Sequence, residues 1–203
     1  MKIKNAFFYQ HFFTMTNAML TFRNAEITDS PQIATLVNSA YRGESSRAGW
    51  TTEAELLDGV RTQPDGVDVL IQTPYSLILL GLKGDEIIAS MHLQLVSEAA
   101  FLGMFAVKPS GQAVGVGKAM MSQAEIVVQQ QWQAKKILMD VISVRHELIA
   151  FYERRGYART GKISDFPVSR DLWMPKAGDL KLARMEKVLS STGTSVQQSL
   201  RGI

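Results

Sequence analysis

The segment from residue 105 to residue 118, FAVKPSGQAVGVGK, has the composition of a phosphate-binding loop. An apolar stretch leads into Pro109, and Gly115 and Gly117 precede residues whose apolar spacing predicts a helix. Glycine has no Cβ, so a ligand can approach the backbone closely. The first amides of a helix lack intrahelical partners and lie at the positive end of the helix dipole, where they attract phosphate. The segment therefore predicts a site for a pyrophosphate group.

Two other phosphate motifs fit this segment less well. A Walker A loop requires glycine at position 112 and serine or threonine at 119, where the chain has Gln112 and Ala119. A dinucleotide fingerprint requires a third small residue where Met120 stands, although Asp140 follows at a suitable distance for the acidic residue of that motif. A nicotinamide dinucleotide site stays open, as does a tight turn with no ligand.

Composition excludes several kinds of chemistry. The 203 residues include no cysteine, which excludes disulfides, thiolate metal sites and an enzyme-bound thioester. His11, His92 and His146 are far apart and indicate no metal site. A net charge of +3 without a run of Lys and Arg disfavours nucleic acid but suits a small polyanionic ligand.

Both ends of the chain differ from the rest. Residues 1–19 are expected to be an extension outside the domain, and Met15 or Met19 is a plausible start. Residues 190–203 are polar and are expected to form a loose tail. No stretch has the length and apolarity of a membrane span, and no clear cleavage site follows the N-terminal apolar run. We therefore expect a cytoplasmic protein without membrane or nucleic-acid partners, with a homodimer possible.

Hydrophobic periodicity predicts the elements that position the loop. Ser30 and Pro31 begin one helix, and Thr52 with Glu55 forms a capping box for a second. A short turn at residues 83–85 predicts an antiparallel hairpin. The predicted strands are 20–27, 75–82, 86–96, 101–107, 136–142 and 182–189, and the later helices are 52–62, 118–132 and 146–155. These elements predict one α+β domain over residues 20–189, with a mixed sheet.

Two motifs in this order resemble the GNAT (general N-acetyltransferase) superfamily. The first is Q-x-x-G-x-G at 112–117 between a strand and a helix, and the second is IAFYERRGY at 149–157. The resemblance implies a GNAT-like single domain with a mostly antiparallel sheet flanked by helices. It also implies that acetyl-CoA donates an acetyl group to a primary amine of a small or amino-acid-like molecule.

The resemblance also implies residues that bind acetyl-CoA. The backbone of Phe105, Ala106 and Val107 would contact the pantetheine arm. The pyrophosphate would be held by Gln112, Ala113, Val114, Gly115, Val116 and Gly117, with Lys118 just inside the helix. Arg145 stands where many members have a cofactor-contacting asparagine, and we expect it to contact a phosphate. Ala113 stands where many members have a second glycine, and Gly103 lies in a region where some members place a glutamate that acts as the general base.

Tyr152 matches the family's general-acid tyrosine, although its spacing also fits a buried aromatic on an apolar helix face. Without cysteine, direct transfer in a ternary complex is favoured. The general base stays open between His92, Glu98 and a water relay.

Candidates for substrate binding are Tyr41, Arg47, Trp50 and His92, with Phe166, Pro167 and Trp173 as a far wall. Each of these residues also fits ordinary packing or, for Arg47, a solvated surface. The alternative function is a non-catalytic acyl-CoA-binding regulatory module. Thermal stabilisation by acetyl-CoA without release of free thiol with any amine would distinguish this module from an enzyme.

Overall fold

The computed structural model describes residues 19–169, 171–176 and 178–190. The predicted N-terminal extension and polar tail lie outside these residues, except Met19 and Ser190. Within the described ranges, no helix has the length and apolar character needed to cross a membrane.

A seven-stranded sheet organises the chain, and a two-stranded ribbon accompanies it. The strands are β1 (Leu20–Asn24), β2 (Leu57–Gly59), β3 (Ser76–Lys83), β4 (Glu86–Val96), β5 (Ala99–Val107), β6 (Lys136–Ile142), β7 (Ala158–Asp165), β8 (Trp173–Pro175) and β9 (Lys181–Val188). The helices are α1 (Ser30–Tyr41), α2 (Gly43–Ser46), α3 (Pro64–Gln72), α4 (Val116–Trp132) and α5 (His146–Glu153). The large sheet has the order β1-β3-β4-β5-β6-β9-β7, and the ribbon joins β2 to β8.

The sheet is mostly antiparallel, as predicted. β3 and β4 form the expected hairpin, and the one parallel pair in the described sheet joins β5 to β6. That parallel pairing covers only residues 99–101 of β5 and 136–138 of β6. Beyond Phe101 the two strands are no longer paired, so the later part of β5 has an edge without a neighbouring strand.

Helices cover both faces of the sheet. Alternation along β3 sends Leu79 to the face that packs on α4 and α5, and Ile78 and Leu80 to the face that packs on α1 and α3. All three side chains are buried because both faces are covered. Successive residues of β3 are therefore apolar, rather than alternating between apolar and polar.

The predicted helix at 52–62 is wrong. That segment instead contains turns and β2, and the second long helix, α3, begins at Pro64. Glu53 is buried in ion pairs, and the side chain of Thr52 bonds Ser46 Oγ at 2.6 Å. These tertiary contacts outweigh the local capping signal, which was read from spacing alone. Pro64 suits the first position of a helix because it has no N–H to satisfy.

Candidate active site

The loop between β5 and α4 presents unpaired amides at a helix N-terminus. Gly115 has φ +92°, and Ala113 has φ +66°, a left-handed value uncommon for a residue with a Cβ. The helical bonding of α4 begins with Ala119 N donating to Gly115 O at 3.0 Å. Within the described residues, the amides of 113–118 have no hydrogen-bond partner. The loop therefore fits a diphosphate by its donors and by the open space around Gly115.

Gln112 has a positioning role in this loop. Its Nε2 donates to Val107 O and to Thr51 Oγ1, each at 2.9 Å, and its Oε1 accepts from Trp50 N at 3.0 Å. A Cβ on Gly49 would lie 2.7 Å from the same Oε1. The glutamine side chain thus fastens residues 49–51 beside the loop, while its neighbours leave their amides free.

A cavity of about 300 Å³ opens on this loop, and we call it the loop cavity. Trp50 and Phe151 form part of its wall, with ring centroids 5.5 Å apart. Lys118 and Arg155 bring positive charge to it. The other predicted pyrophosphate residues that line it are Gln112, Ala113, Gly115 and Gly117, whereas Val114 is exposed and Val116 packs into the core.

Arg155 was not among the residues predicted to form the site. Its guanidinium carbon lies 3.3 Å from the ring centroid of Phe151, and Nη1 donates to Phe151 O at 2.5 Å. Its Nε is buried and unpaired within the described part of the chain. Burial, with a contribution from Arg154, lowers the pKa of Arg155. A cation held in this way favours an anion in the loop cavity.

The unpaired edge of β5 offers amide donors. Lys108 N donates to Ile88 O of β4, so alternation turns the backbone groups of Phe105 and Val107 to the opposite edge. Their carbonyl oxygens are already used, because Phe105 O accepts from the Tyr41 hydroxyl and Val107 O from Gln112. Ala106 packs in the core. The amides of Phe105 and Val107 are thus the groups left for a ligand.

A second cavity, of about 200 Å³, meets the first, and we call it the charged cavity. Glu53, Arg61, Asp140 and Arg145 supply its charges. Both cavities share four lining residues, which we call the junction: Tyr41, Phe105, Leu148 and Tyr152.

The two junction tyrosines differ in their hydrogen bonding. The Tyr41 hydroxyl donates to Phe105 O, whereas the Tyr152 hydroxyl has no partner within the described ranges. Burial raises the pKa of Tyr152 well above its ordinary value. Burial, followed by the nearby Glu53 carboxylate, raises the pKa of Tyr41 to about 12. Both phenols are therefore protonated at neutral pH, and Tyr152 is free to donate.

Arg145 lies in the charged cavity rather than at the phosphate loop. Its Nη1 is 3.1 Å from Glu53 Oε1, and its Nη2 donates to Thr51 O at 2.7 Å. Glu53 is also paired with Arg42 at 2.5 Å. Arg145 therefore lines the charged cavity. Glu53 was missed because its segment was assigned to a helix.

The remaining candidates are distributed unevenly. Arg47 is exposed, pairs with Glu44 and Glu55, and lines neither cavity. His92 is also outside both linings, with Nε2 2.9 Å from Ser76 Oγ. Glu98 is exposed and pairs with Lys135 at 3.1 Å. Phe166 and Pro167 line the charged cavity, and Trp173 stacks on Arg61. Of the four residues predicted to bind substrate directly, Tyr41 and Trp50 line a cavity, whereas Arg47 and His92 do not.

The chain belongs to the acetyltransferase (GNAT) family, whose model matches residues 34–157. None of the curated proteins matches the chain in sequence. Solved structures that share the fold include two N-acetyltransferases. The ribosomal-protein-S18-alanine N-acetyltransferase from Escherichia coli is 18% identical with a TM-score of 0.64, over 88% of this chain and 99% of that one. The spermidine N-acetyltransferase from Vibrio cholerae, in complex with CoA and spermine, is 15% identical with a TM-score of 0.63, over 85% and 97%.

Proposed function

We propose that this protein transfers an acetyl group from acetyl-CoA to a primary amine of a small molecule, by direct transfer in a ternary complex. The observation that carries the proposal is the junction. There, a cavity built on a loop of unpaired amides meets a second cavity with charged walls. Two substrates bound in the two cavities would meet beside Tyr152.

The loop cavity has suitable donors for coenzyme A. The amides of 113–118 would hold the pyrophosphate, and Lys118 and Arg155 would add positive charge. The amides of Phe105 and Val107 would bind the pantetheine arm as an added strand would. The same kind of donor, directed at the acyl oxygen, stabilises the charge that develops there during transfer.

Acetyl-CoA supplies an acyl group activated as a thioester. In our proposal the amine nitrogen forms a bond to the acyl carbon while the carbon–sulfur bond breaks. The Tyr152 hydroxyl gives its proton to the departing sulfur, the acceptor nitrogen loses one proton to water, and water returns a proton to the Tyr152 oxygen. The absence of cysteine among the 203 residues supports direct transfer, because no thiol can carry the acetyl group between the two substrates.

The proposal is tested by combining ligand-induced stabilisation with release of free thiol. We expect CoA to raise the melting temperature, because a ligand at 100 times its Kd stabilises the folded state by about 2.7 kcal/mol. We expect the protein to release free thiol from acetyl-CoA in the presence of an acceptor from a panel of amino acids, polyamines, aminoglycosides and peptides. Stabilisation by CoA without thiol release from any acceptor would indicate the non-catalytic module. Stabilisation by NAD and not by CoA would contradict the proposed cosubstrate.

A further inference from the structure

Arg61 is a cation of the charged cavity that has no carboxylate partner. The chain's ion pairs include none with Arg61 within the described residues. The described ranges hold all 19 Asp and Glu residues of the sequence, so no acidic side chain elsewhere is available to it. Its guanidinium carbon lies 5.3 Å from the ring centroid of Trp173. A stacked guanidinium with free donors is a suitable binding group for a carboxylate.

The other charges that line this cavity are already paired, and the surplus of charge is positive once the arginines that hold its carboxylates from outside the lining are counted. Asp140 accepts two bonds of 2.8 Å from Arg184, while Glu53 is bound by both Arg42 and Arg145. Arg42 and Arg184 pair with these carboxylates from outside the cavity lining, so the two carboxylates are surrounded by four guanidinium groups, those of Arg42, Arg61, Arg145 and Arg184. A polycationic amine would meet net repulsion here, whereas an acceptor with an anionic group would complete the charge balance.

Rigid contacts hold Arg61 in place. Its backbone amide donates to Asn38 Oδ1 at 2.7 Å, which joins it to α1. Its stacking partner Trp173 is fixed by a bond of 2.9 Å from Nε1 to Pro167 O. The binding group is therefore oriented before a ligand arrives, which reduces the entropic cost of binding.

The rest of the charged cavity is apolar and small. Phe101, Met104, Phe166 and Leu182 contribute to its lining. A volume of about 200 Å³ corresponds to about seven water molecules at about 30 Å³ each. That volume has room for a small molecule with an apolar side chain.

We propose that the acceptor is a free amino acid with an apolar side chain, whose carboxylate is bound by Arg61 and whose amine lies at the junction. This inference rests on the proposed function and names its substrate class. The positive surplus also has a chemical consequence. It disfavours the ammonium form of the acceptor, and only the neutral amine is a nucleophile.

Matched acceptor pairs test this inference. L-Phenylalanine, L-methionine and L-leucine are each compared with the amine formed by loss of the carboxylate, and spermidine is added as a polycation. Binding is measured by NMR titration in the presence of CoA, and kcat/KM by thiol release. We expect at least one amino acid to exceed its matched amine by tenfold or more in both affinity and kcat/KM.

Variants assign the preference to Arg61. We expect Arg61→Gln to reduce the preference for an amino acid over its matched amine to threefold or less. Arg61→Lys should retain part of this preference. The control Arg159→Gln removes an exposed arginine of β7 and should leave the preference unchanged. Equal or tighter binding of the amines, no binding of any amino acid, or a preference that survives Arg61→Gln would overturn the inference. Amino-acid binding that depends on Arg61 but yields no thiol would uphold it while contradicting the proposed catalysis.

Discussion

At the scale of single residues, the site depends on which buried tyrosine hydroxyl is free. Tyr41 donates to a backbone carbonyl, and Tyr157 Oη lies 3.5 Å from Glu125 Oε1. Tyr152 lines both cavities with no partner for its hydroxyl in the part of the chain that is described. Similar aromatic packing therefore gives one tyrosine a free proton and gives the others fixed hydrogen bonds.

Tyr152→Phe tests this assignment. We expect kcat to fall by about 100-fold, because positioned general acids typically contribute at least that factor. Affinity for acetyl-CoA should change less than threefold, since the ring that contacts Phe151 and Tyr157 is kept. Steady-state kinetics and a CoA titration measure the two effects.

Tyr157→Phe is the matched control, because Tyr157 is buried beside Tyr152 but lines neither cavity. It should leave kcat within about threefold of the parent value, since it removes no group placed at the reaction centre. An unchanged kcat in Tyr152→Phe would remove Tyr152 from the mechanism.

At the scale of elements, the β2–β8 ribbon supports Arg61, which lines the charged cavity. Gly59 has φ +90°, and a Cβ there would lie 2.0 Å from Leu172 O. The same oxygen accepts from Val60 N at 2.8 Å. The ribbon carries Trp173 and is followed directly by the segment with Arg61, so its pairing determines the geometry of the acceptor side.

Gly59→Ala is expected to weaken this ribbon. Strain and overlap together should lower the free energy of unfolding by about 2–4 kcal/mol. The KM for the acceptor should rise while CoA affinity is retained, because the loop cavity lies outside the ribbon. Thermal melts and kinetics measure the two effects.

Gly84→Ala is the control for Gly59→Ala. Gly84 also has positive φ, +61°, but a Cβ at this position would have no atom within 4 Å, so only the backbone cost of about 1 kcal/mol applies. Equal destabilisation by the two substitutions would show that the ribbon contact has little weight.

At the scale of the whole molecule, His92 links stability to pH. Burial lowers its pKa from 6.5 to about 4. Ser76 Oγ donates to Leu70 O at 2.6 Å, so it accepts from His92 Nε2 and the neutral ring carries its proton on Nε2. Between pH 6.5 and 4 the unfolded chain therefore binds a proton that the folded chain does not.

The sign of the pH effect follows from this difference. His92 contributes up to about 3 kcal/mol to the free energy of unfolding in this way. The contribution is complete above pH 6.5 and is lost as the pH falls toward 4. We expect urea unfolding of the parent and of His92→Asn to converge in free energy as pH is lowered through this window. Parallel curves would contradict the burial argument.

Much of the fold could be predicted because its signals lie in contiguous residues. Alternation predicted β4 and β6 at their observed bounds, and Ser30 and Pro31 predicted where α1 begins. The glycines at 115 and 117 predicted a loop entering a helix, because backbone freedom is a property of the residue itself. The prediction of a helix at 52–62 failed because Thr52 and Glu53 form tertiary contacts that compete with helix formation.

The sequence by itself determined the class of fold, the position of the phosphate loop and the absence of a thiol carrier. Only the tertiary structure decided that Arg145 faces Glu53, that Arg155 reaches the loop cavity and that Arg61 is left without a carboxylate. The physical reason is range. Backbone sterics and periodicity act between neighbours in the chain, whereas the partner of a charge depends on which distant residues the packing of the sheet and helices brings within reach.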